Sequence, residues 1–207
     1  IFFVTSRCNA RCRHCFYWKE LDSQKDELTL SQIEKLARSV PSLLALSLTG
    51  GEPFLRDDLA QIALLFGRFT KIANLQIPTN GLLTEKIFEA TSEILKNIRQ
   101  DVRMVVGVSF DDMRERHDDI RQVEGCWDRA VETARRLKLL EKEFPNFLVA
   151  STITMTSENQ SRVKQLIDFL KNELKLKEVA VNLVRSEIKD MSLKEVDIKY
   201  YDEVSCQ

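Results

Sequence analysis

Along the chain, two kinds of hydrophobic pattern take turns. Short runs rich in apolar and β-branched residues occupy positions 1–4, 43–48, 74–78, 102–110, 147–155 and 179–184. Runs of that length bounded by polar stretches predict strands buried on both faces. Between them the apolar residues recur three and four apart: Ile33, Leu36, Ala37 and Val40; Leu59, Ile62, Ala63, Phe66 and Phe69; Ile87, Ala90, Ile94, Leu95 and Ile98. The series continues with Trp127, Ala130, Val131, Ala134, Leu137 and Leu140, then Val163, Leu166, Ile167, Leu170 and Leu174. Each is one stripe of an amphipathic helix. The first helix has a capping box, Thr29-x-x-Gln32, and Pro41 to stop it.

Strand followed by helix, repeated without exception, predicts parallel strands joined by right-handed crossovers. The expected fold is therefore α/β, a partial (βα)6 TIM-like barrel, with a flat doubly wound sheet as the competitor that periodicity alone does not separate. After Val184 the pattern becomes charged, and Val196, Tyr200 and Val204 suggest only the beginning of a last, incomplete helix before Gln207. Five helices on six strands would leave part of the sheet uncovered. Because the sequence also opens inside an apolar run without Met, the expectation is a single core domain over 1–207 that is a fragment of a longer chain, its C-terminal domain absent.

In either fold, binding residues gather at the C-terminal edge of the strands. That edge is where the unusual groups fall. Cys8, Cys12 and Cys15 follow the first strand and Gly50-Gly51-Glu52-Pro53 the second; Thr79-Asn80-Gly81 follows the third, Ser109 and Asp111 end the fourth, and Asn182 and Arg185 lie near the end of the sixth.

Composition changes this picture by exclusion. Lys and Arg number 31 against 32 Asp and Glu, a net charge of −1, so there is no basic footprint for nucleic acid. No apolar run approaches the ~18 residues of a membrane span. Three clustered thiols then point to a reducing cytoplasm.

Three of the five cysteines fall within eight residues, Cys8-Asn9-Ala10-Arg11-Cys12-Arg13-His14-Cys15. One disulfide would strand the third thiol, so a metal is the better reading. A structural zinc wants four ligands, commonly as two close pairs, and Cys126 and Cys206 stand alone. His14 as a fourth zinc ligand would strain the tight loop. Iron–sulfur clusters are held by compact runs of thiolates, and three thiolates on four irons leave one iron open to a small molecule. Phe16-Tyr17-Trp18 beyond the loop reads as core packing or a lid, and Cys126 as a small buried hydrophobe.

The C-x3-C-x2-C spacing, with the aromatic His14 before the last cysteine, resembles the cluster motif of the radical S-adenosylmethionine (radical SAM) enzymes. Gly50-Gly51-Glu52-Pro53 resembles that family's GGEP motif. The resemblance implies a 4Fe-4S cluster on Cys8, Cys12 and Cys15 whose open iron chelates SAM. An electron from the cluster would cleave SAM to methionine and a 5′-deoxyadenosyl radical that abstracts hydrogen from substrate. It further implies that Gly50, Gly51 and Glu52 meet the amino group of SAM. Asn80 would line the site, and Ser109 and Arg121 would meet ribose and carboxylate, Arg121 lying in a His117-Asp118-x-x-Arg121 context. Asn182 and Val184 would meet adenine through the backbone. A solvated surface charge is the plain alternative for Arg121. Asp112 stands where relatives often have glycine, leaving the role of Asp111 open, and Glu158 reads as a helix-start charge.

The His-Asp-x-x-Arg context is most like members that modify peptides or assemble cofactors, with flavodoxin or ferredoxin as the implied reductant. Two rivals stand beside this reading: a non-catalytic zinc-binding module whose glycines merely turn, and an enzyme with a closed electron-transfer cluster. Cys206 is weighed as an auxiliary-cluster ligand against a plain surface cysteine.

Overall fold

Residues 1–23, 27–40 and 42–205 are described by the computed structural model. Pro41, Cys206 and part of the polar loop at 19–27 lie outside them. Six strands run β1 (Phe2–Thr5), β2 (Ala45–Gly50), β3 (Asn74–Thr79), β4 (Arg103–Ser109), β5 (Phe147–Met155) and β6 (Glu178–Leu183). They form one sheet in the order β1-β2-β3-β4-β5-β6, every neighbouring pair parallel. A doubly wound sheet must reverse its strand order at a switch point. Here the order never reverses, so successive right-handed crossovers put every helix on one face, and the fold is the open, barrel-like arrangement.

The two faces differ as that geometry requires. Toward the helices point Leu75, Ile77, Met104, Val106, Val108, Val149, Ile153 and Met155, all fully buried. The opposite, inner face carries residues in register: Ser47 beside Gln76 and Val105, Pro78 beside Gly107 and Ala150, Ser109 beside Thr152, Thr154 beside Asn182. That face mixes polar with small and apolar residues and is partly open to solvent. It holds a cavity of about 300 Å³ lined among others by Ser47, Asn74, Gln76, Arg103, Thr152 and Glu178.

The helices are α1 (Leu30–Ser39), α2 (Leu59–Phe69), α3 (Thr84–Asn97), α4 (Glu115–Arg121), α5 (Cys126–Glu143), α6 (Val163–Asn172) and α7 (Ile198–Ser205). The capping box at α1 is formed in both directions, Thr29 Oγ1 accepting from Gln32 N and Gln32 Oε1 from Thr29 N. Two expectations need correction. Strand and helix do not simply alternate, because α4 precedes α5 between β4 and β5; with seven residues and an alternation of charges it has no apolar stripe to read. The helix hinted at by Val196, Tyr200 and Val204 is α7, which packs on β6 with Val204 buried and the Tyr201 hydroxyl donating to Val181 O at 3.3 Å. The second strand starts and ends later than 43–48, since its ladder opens at Ala45 opposite Asn74 and runs on to Gly50, which pairs with Thr5.

Candidate metal centre

The cysteine loop leaves β1 at the C-terminal edge of the sheet, and its shape is set by backbone bonds from elsewhere in the chain. Gly51 N donates to Thr5 O at 2.9 Å and Glu52 N to Arg7 O at 2.8 Å, so the Gly-Gly turn zips onto the segment entering Cys8. A Cβ at Gly51 would lie 2.1 Å from Arg7 O, and one at Gly50, whose φ is +139°, 2.1 Å from Thr5 O. These glycines admit the chain's own backbone. Further along, Arg11 N and Arg13 N donate to the carbonyls of Arg121 and Ile120 at the end of α4. The segment after β6 closes the other side, Lys189 N donating to Cys15 O and Asp190 N to Arg13 O. The Arg13 guanidinium reaches Asp190 at 2.9 Å and Glu158 at 2.7 Å. Glu158 is thus more than a helix-start charge; it is tied to the cysteine loop.

Cys8, Cys12 and Cys15 are free thiols, each half-buried. Burial pushes the Cys8 thiol up to about 11 and raises Cys12 and Cys15 as well. Without a compensating cation they hold protons at neutral pH, and a metal must displace them. Among the described residues no three of His, Cys, Asp and Glu converge to hold a single metal ion. Thiolates at the corners of a larger cluster need no such convergence. Below the loop, Cys126 is fully buried with Ala10 and Leu82 against Cys8 and Cys12, a small hydrophobe as expected.

Glu52 is 1% exposed, and its carboxylate is occupied. It accepts from Asn80 N at 2.7 Å, Thr79 Oγ1 at 2.9 Å and Phe54 N at 3.2 Å. Burial nevertheless pushes it up to about 7. Asn80 in turn donates from Nδ2 to Asn9 Oδ1 at 2.7 Å, tying the exit of β3 to the cysteine loop. Gly-Gly-Glu, Thr-Asn-Gly and the cysteines are therefore one hydrogen-bonded unit.

Arg121 is not a solvated charge. It is 8% exposed, its Nη2 2.6 Å from Asp111 Oδ2 and its Nη1 donating to Cys12 Sγ at 3.7 Å. Asp111, left open by the sequence, is fully buried and held by Thr154 N on Oδ1 at 3.0 Å, with His14 Nε2 3.7 Å from Oδ2. Burial works against its charge, but Arg121, with His14 and His117, brings it down to about 2. His117 accepts from Asp111 N on Nδ1, which places its proton on Nε2 toward Cys126 Sγ at 3.4 Å. Burial first, then Arg121, lowers His117 to about 4. Asp112, the departure from glycine, has its own partner: Arg162 Nε donates to Oδ2 at 2.9 Å, holding the start of α6 to the end of β4.

Ser109 is half-buried at the end of β4, Asn182 is exposed on the inner face, and Val184 is buried with its N–H on Met155 O. Sequence reading missed Asn159, a buried side chain that donates to Asp111 O at 2.6 Å and accepts from Thr156 N at 2.8 Å. Its only signal was a polar residue in a turn. The aromatic group is not core: Phe16 is 50% and Trp18 36% exposed, Tyr17 packs on Phe3, and Arg185 lies over Phe16.

These shifts predict a pH profile for the metal-free protein. Glu52, raised from 4.5 to about 7, keeps its proton longer in the folded chain, so its contribution is lost as pH climbs through that window. His117, lowered from 6.5 to about 4, acts oppositely: stability falls as pH falls from 6.5 to 4. Asp111 adds a loss between 3.8 and about 2. His14, also lowered by burial, adds to the His117 slope, so the wild type should gain stability with rising pH across 4.5–6.5 less steeply than a protein without Glu52, and should lose it below 4. Glu52→Gln removes one opposing slope, so its urea midpoint should climb with pH across 4.5–6.5; parallel profiles for the two proteins would contradict the assignment.

A family model described as the Radical SAM superfamily matches residues 2–170. The chain belongs to that superfamily. It is 29% identical over 178 residues to the pre-heme d1 synthase of Dinoroseobacter shibae, covering 84% of this chain and 40% of that protein. It is 28% identical over 175 residues to the Fe-coproporphyrin III synthase of Methanosarcina barkeri, covering 84% and 41%. Among solved structures, Streptococcus suis SuiB bound to the precursor peptide SuiA superposes with a TM-score of 0.73 at 18% identity, covering 98% of this chain and 44% of SuiB. A peptide-bound anSMEcpe with AdoMet gives 0.69 at 20%, covering 97% and 55%. At those identities the structures show the shared fold. This radical SAM chain spans about two fifths of the length of the two synthases.

Proposed function

We propose that this chain is the catalytic core of an enzyme in which a 4Fe-4S cluster on Cys8, Cys12 and Cys15 reductively cleaves SAM. The observation that carries the proposal is the suspension of three free thiols beside two buried, unpartnered nitrogens, His14 Nδ1 and Arg121 Nε. Buried polar atoms are rarely left unpaired without a ligand to meet them. When bound, the cluster supplies the electron that splits SAM into methionine and a 5′-deoxyadenosyl radical.

The chain's own residues orient the cofactor. In this reading Gly50, Gly51 and Glu52 face the amino group of SAM. Arg121 Nε serves its carboxylate and Ser109 its ribose, Asn80 lines the site, and the backbone at Asn182 and Val184 meets adenine. The buried charge of Glu52 answers an ammonium through a medium of low polarity while its oxygens keep their protein donors. Interactions with charged groups are typically worth ~1.5–3 kcal/mol, so Glu52→Gln should weaken SAM binding roughly ten- to a hundredfold. Equilibrium dialysis giving wild-type SAM affinity for the variant would refute that placement.

The inner face where it reaches the C-terminal strand ends, with Ser109 beside Thr152 and Thr154 beside Asn182, is suited to part of a substrate. The similarity to cofactor-assembling synthases and to peptide-bound SuiB makes a cofactor precursor or a peptide the proposed substrate class. A flavodoxin or ferredoxin is the proposed electron source, and the free cysteines suit a cytoplasmic location. No helix among the described residues is long and apolar enough to cross a membrane. The test is anaerobic reconstitution with iron and sulfide, followed by SAM and dithionite. Brown protein that releases 5′-deoxyadenosine is the expected result. Colourless protein that retains zinc would favour the binding module.

A further inference from the structure

Arg121 and Asp111 form a charge pair directly behind one of the three proposed cluster ligands. Arg121 Nη1 points at Cys12 Sγ, 3.7 Å away, while Nη2 is held at 2.6 Å by Asp111 Oδ2. Neither group is free to move. Thr154 N on β5 pins Asp111 Oδ1, and Asn159 pins its carbonyl. On the other side, the end of α4 is fixed because the Ile120 and Arg121 carbonyls receive Arg13 N and Arg11 N from the cysteine loop itself. The loop and the guanidinium are thus one rigid body.

We propose that the Asp111–Arg121 pair sets the reduction potential of the cluster through Cys12. This inference rests on the cluster reading above and adds a role that cofactor binding does not require. Reduction adds a negative charge beside the Cys12 sulfur. A fixed positive group donating to that sulfur favours the reduced state, and a fixed carboxylate just behind it opposes this. Because the pair is buried, solvent screens it weakly. Arg121 and Asp111 are positioning residues here, acting through Cys12.

The sign of each change follows. Arg121→Gln removes the cation and should lower the midpoint potential; Asp111→Asn unmasks the cation and should raise it. Each shift should reach at least about tenfold in the reduction equilibrium, about 59 mV for a one-electron couple. Arg121→Lys, which keeps a charge near Cys12, should stay closer to wild type than Arg121→Gln. The reconstituted 207-residue chain is titrated anaerobically with dithionite in the absence of SAM, and the reduced cluster is read by electron paramagnetic resonance. Wild-type iron content and spectrum establish first that a cluster is present, so failure of the cluster reading is seen separately. Opposite shifts in Arg121→Gln and Asp111→Asn support the proposal; shifts of the same sign, or potentials unchanged in both, overturn it. Should Arg121→Gln fail to load iron, Arg121→Lys decides: loading with a near-wild-type potential supports a charge role, and failure to load assigns Arg121 to the shape of the loop and overturns it.

Discussion

Cys12→Ala is expected to bring iron content after anaerobic reconstitution to background while leaving the unfolding free energy of the metal-free protein, from urea titration, within ~1 kcal/mol of wild type. The two halves of that expectation come from different atoms. Cluster binding needs the sulfur, and a cluster held by three thiolates has no spare among the described cysteines, since Cys126 is sealed under the loop with the His117 N–H on its sulfur. Folding needs the backbone, and the loop at Cys12 is suspended by its neighbours: Arg11 N and Arg13 N on α4, with Lys189 and Asp190 on the far side. Removing Sγ deletes one long contact with Arg121 and a little apolar packing, a small loss by the standards of core truncations. Cys126→Ala is the contrasting case. It should retain iron and lose roughly 1–2 kcal/mol of stability, because it opens a small cavity among Ala10, Leu82 and His117. Undiminished iron in Cys12→Ala would remove the basis for a three-cysteine cluster.

Much of this could be read without coordinates, and the gaps have a common cause. The strands and the five large helices announce themselves through apolar periodicity, which reports burial on one face and is a local property. The helix α4 carries seven residues and mostly charges, so its membership of the fold depends on what its ends touch: carbonyls for the cysteine loop, Arg121 for Cys12. The site shows the same division. Cys8, Cys12, Cys15 and the Gly-Gly-Glu-Pro turn are legible because spacing carries their chemistry. What Asp111, Asn159 and Arg162 do is not, because each acts on a partner tens of residues away, from Asn159 on Asp111 O to Arg162 on Asp112. Part of what the Gly-Gly turn does is likewise non-local, since the atoms nearest the missing side chains of Gly50 and Gly51 belong to the backbone of Thr5, Ser6 and Arg7.

That last point makes Gly51→Ala the second large expected effect. The added Cβ would meet Arg7 O at 2.1 Å, Arg7 C at 2.6 Å and Ser6 O at 2.9 Å, all backbone atoms, so no side chain can swing away to relieve it. Either the Gly-Gly turn or the segment 5–7 must retreat. Both retreats break the pair of bonds from Gly51 N to Thr5 O and Glu52 N to Arg7 O, in a region where water does not readily replace them. Each lost buried bond costs ~1–3 kcal/mol, so a total of roughly 3–5 kcal/mol is expected, a large part of the ~5–15 kcal/mol that holds a typical domain. Because segment 5–7 leads straight into Cys8, whatever folded protein remains should also load less iron. Gly107→Ala is the matched control, on the inner face of β4 with no atom within 4 Å of its missing Cβ. There the substitution should be neutral or stabilise by ~0.4–1 kcal/mol, since it narrows the unfolded ensemble without a clash. Urea unfolding of the two metal-free variants, followed by iron analysis after reconstitution, checks both expectations. A Gly51→Ala midpoint equal to that of Gly107→Ala would mean that the zipped backbone does not hold the cysteine loop in place.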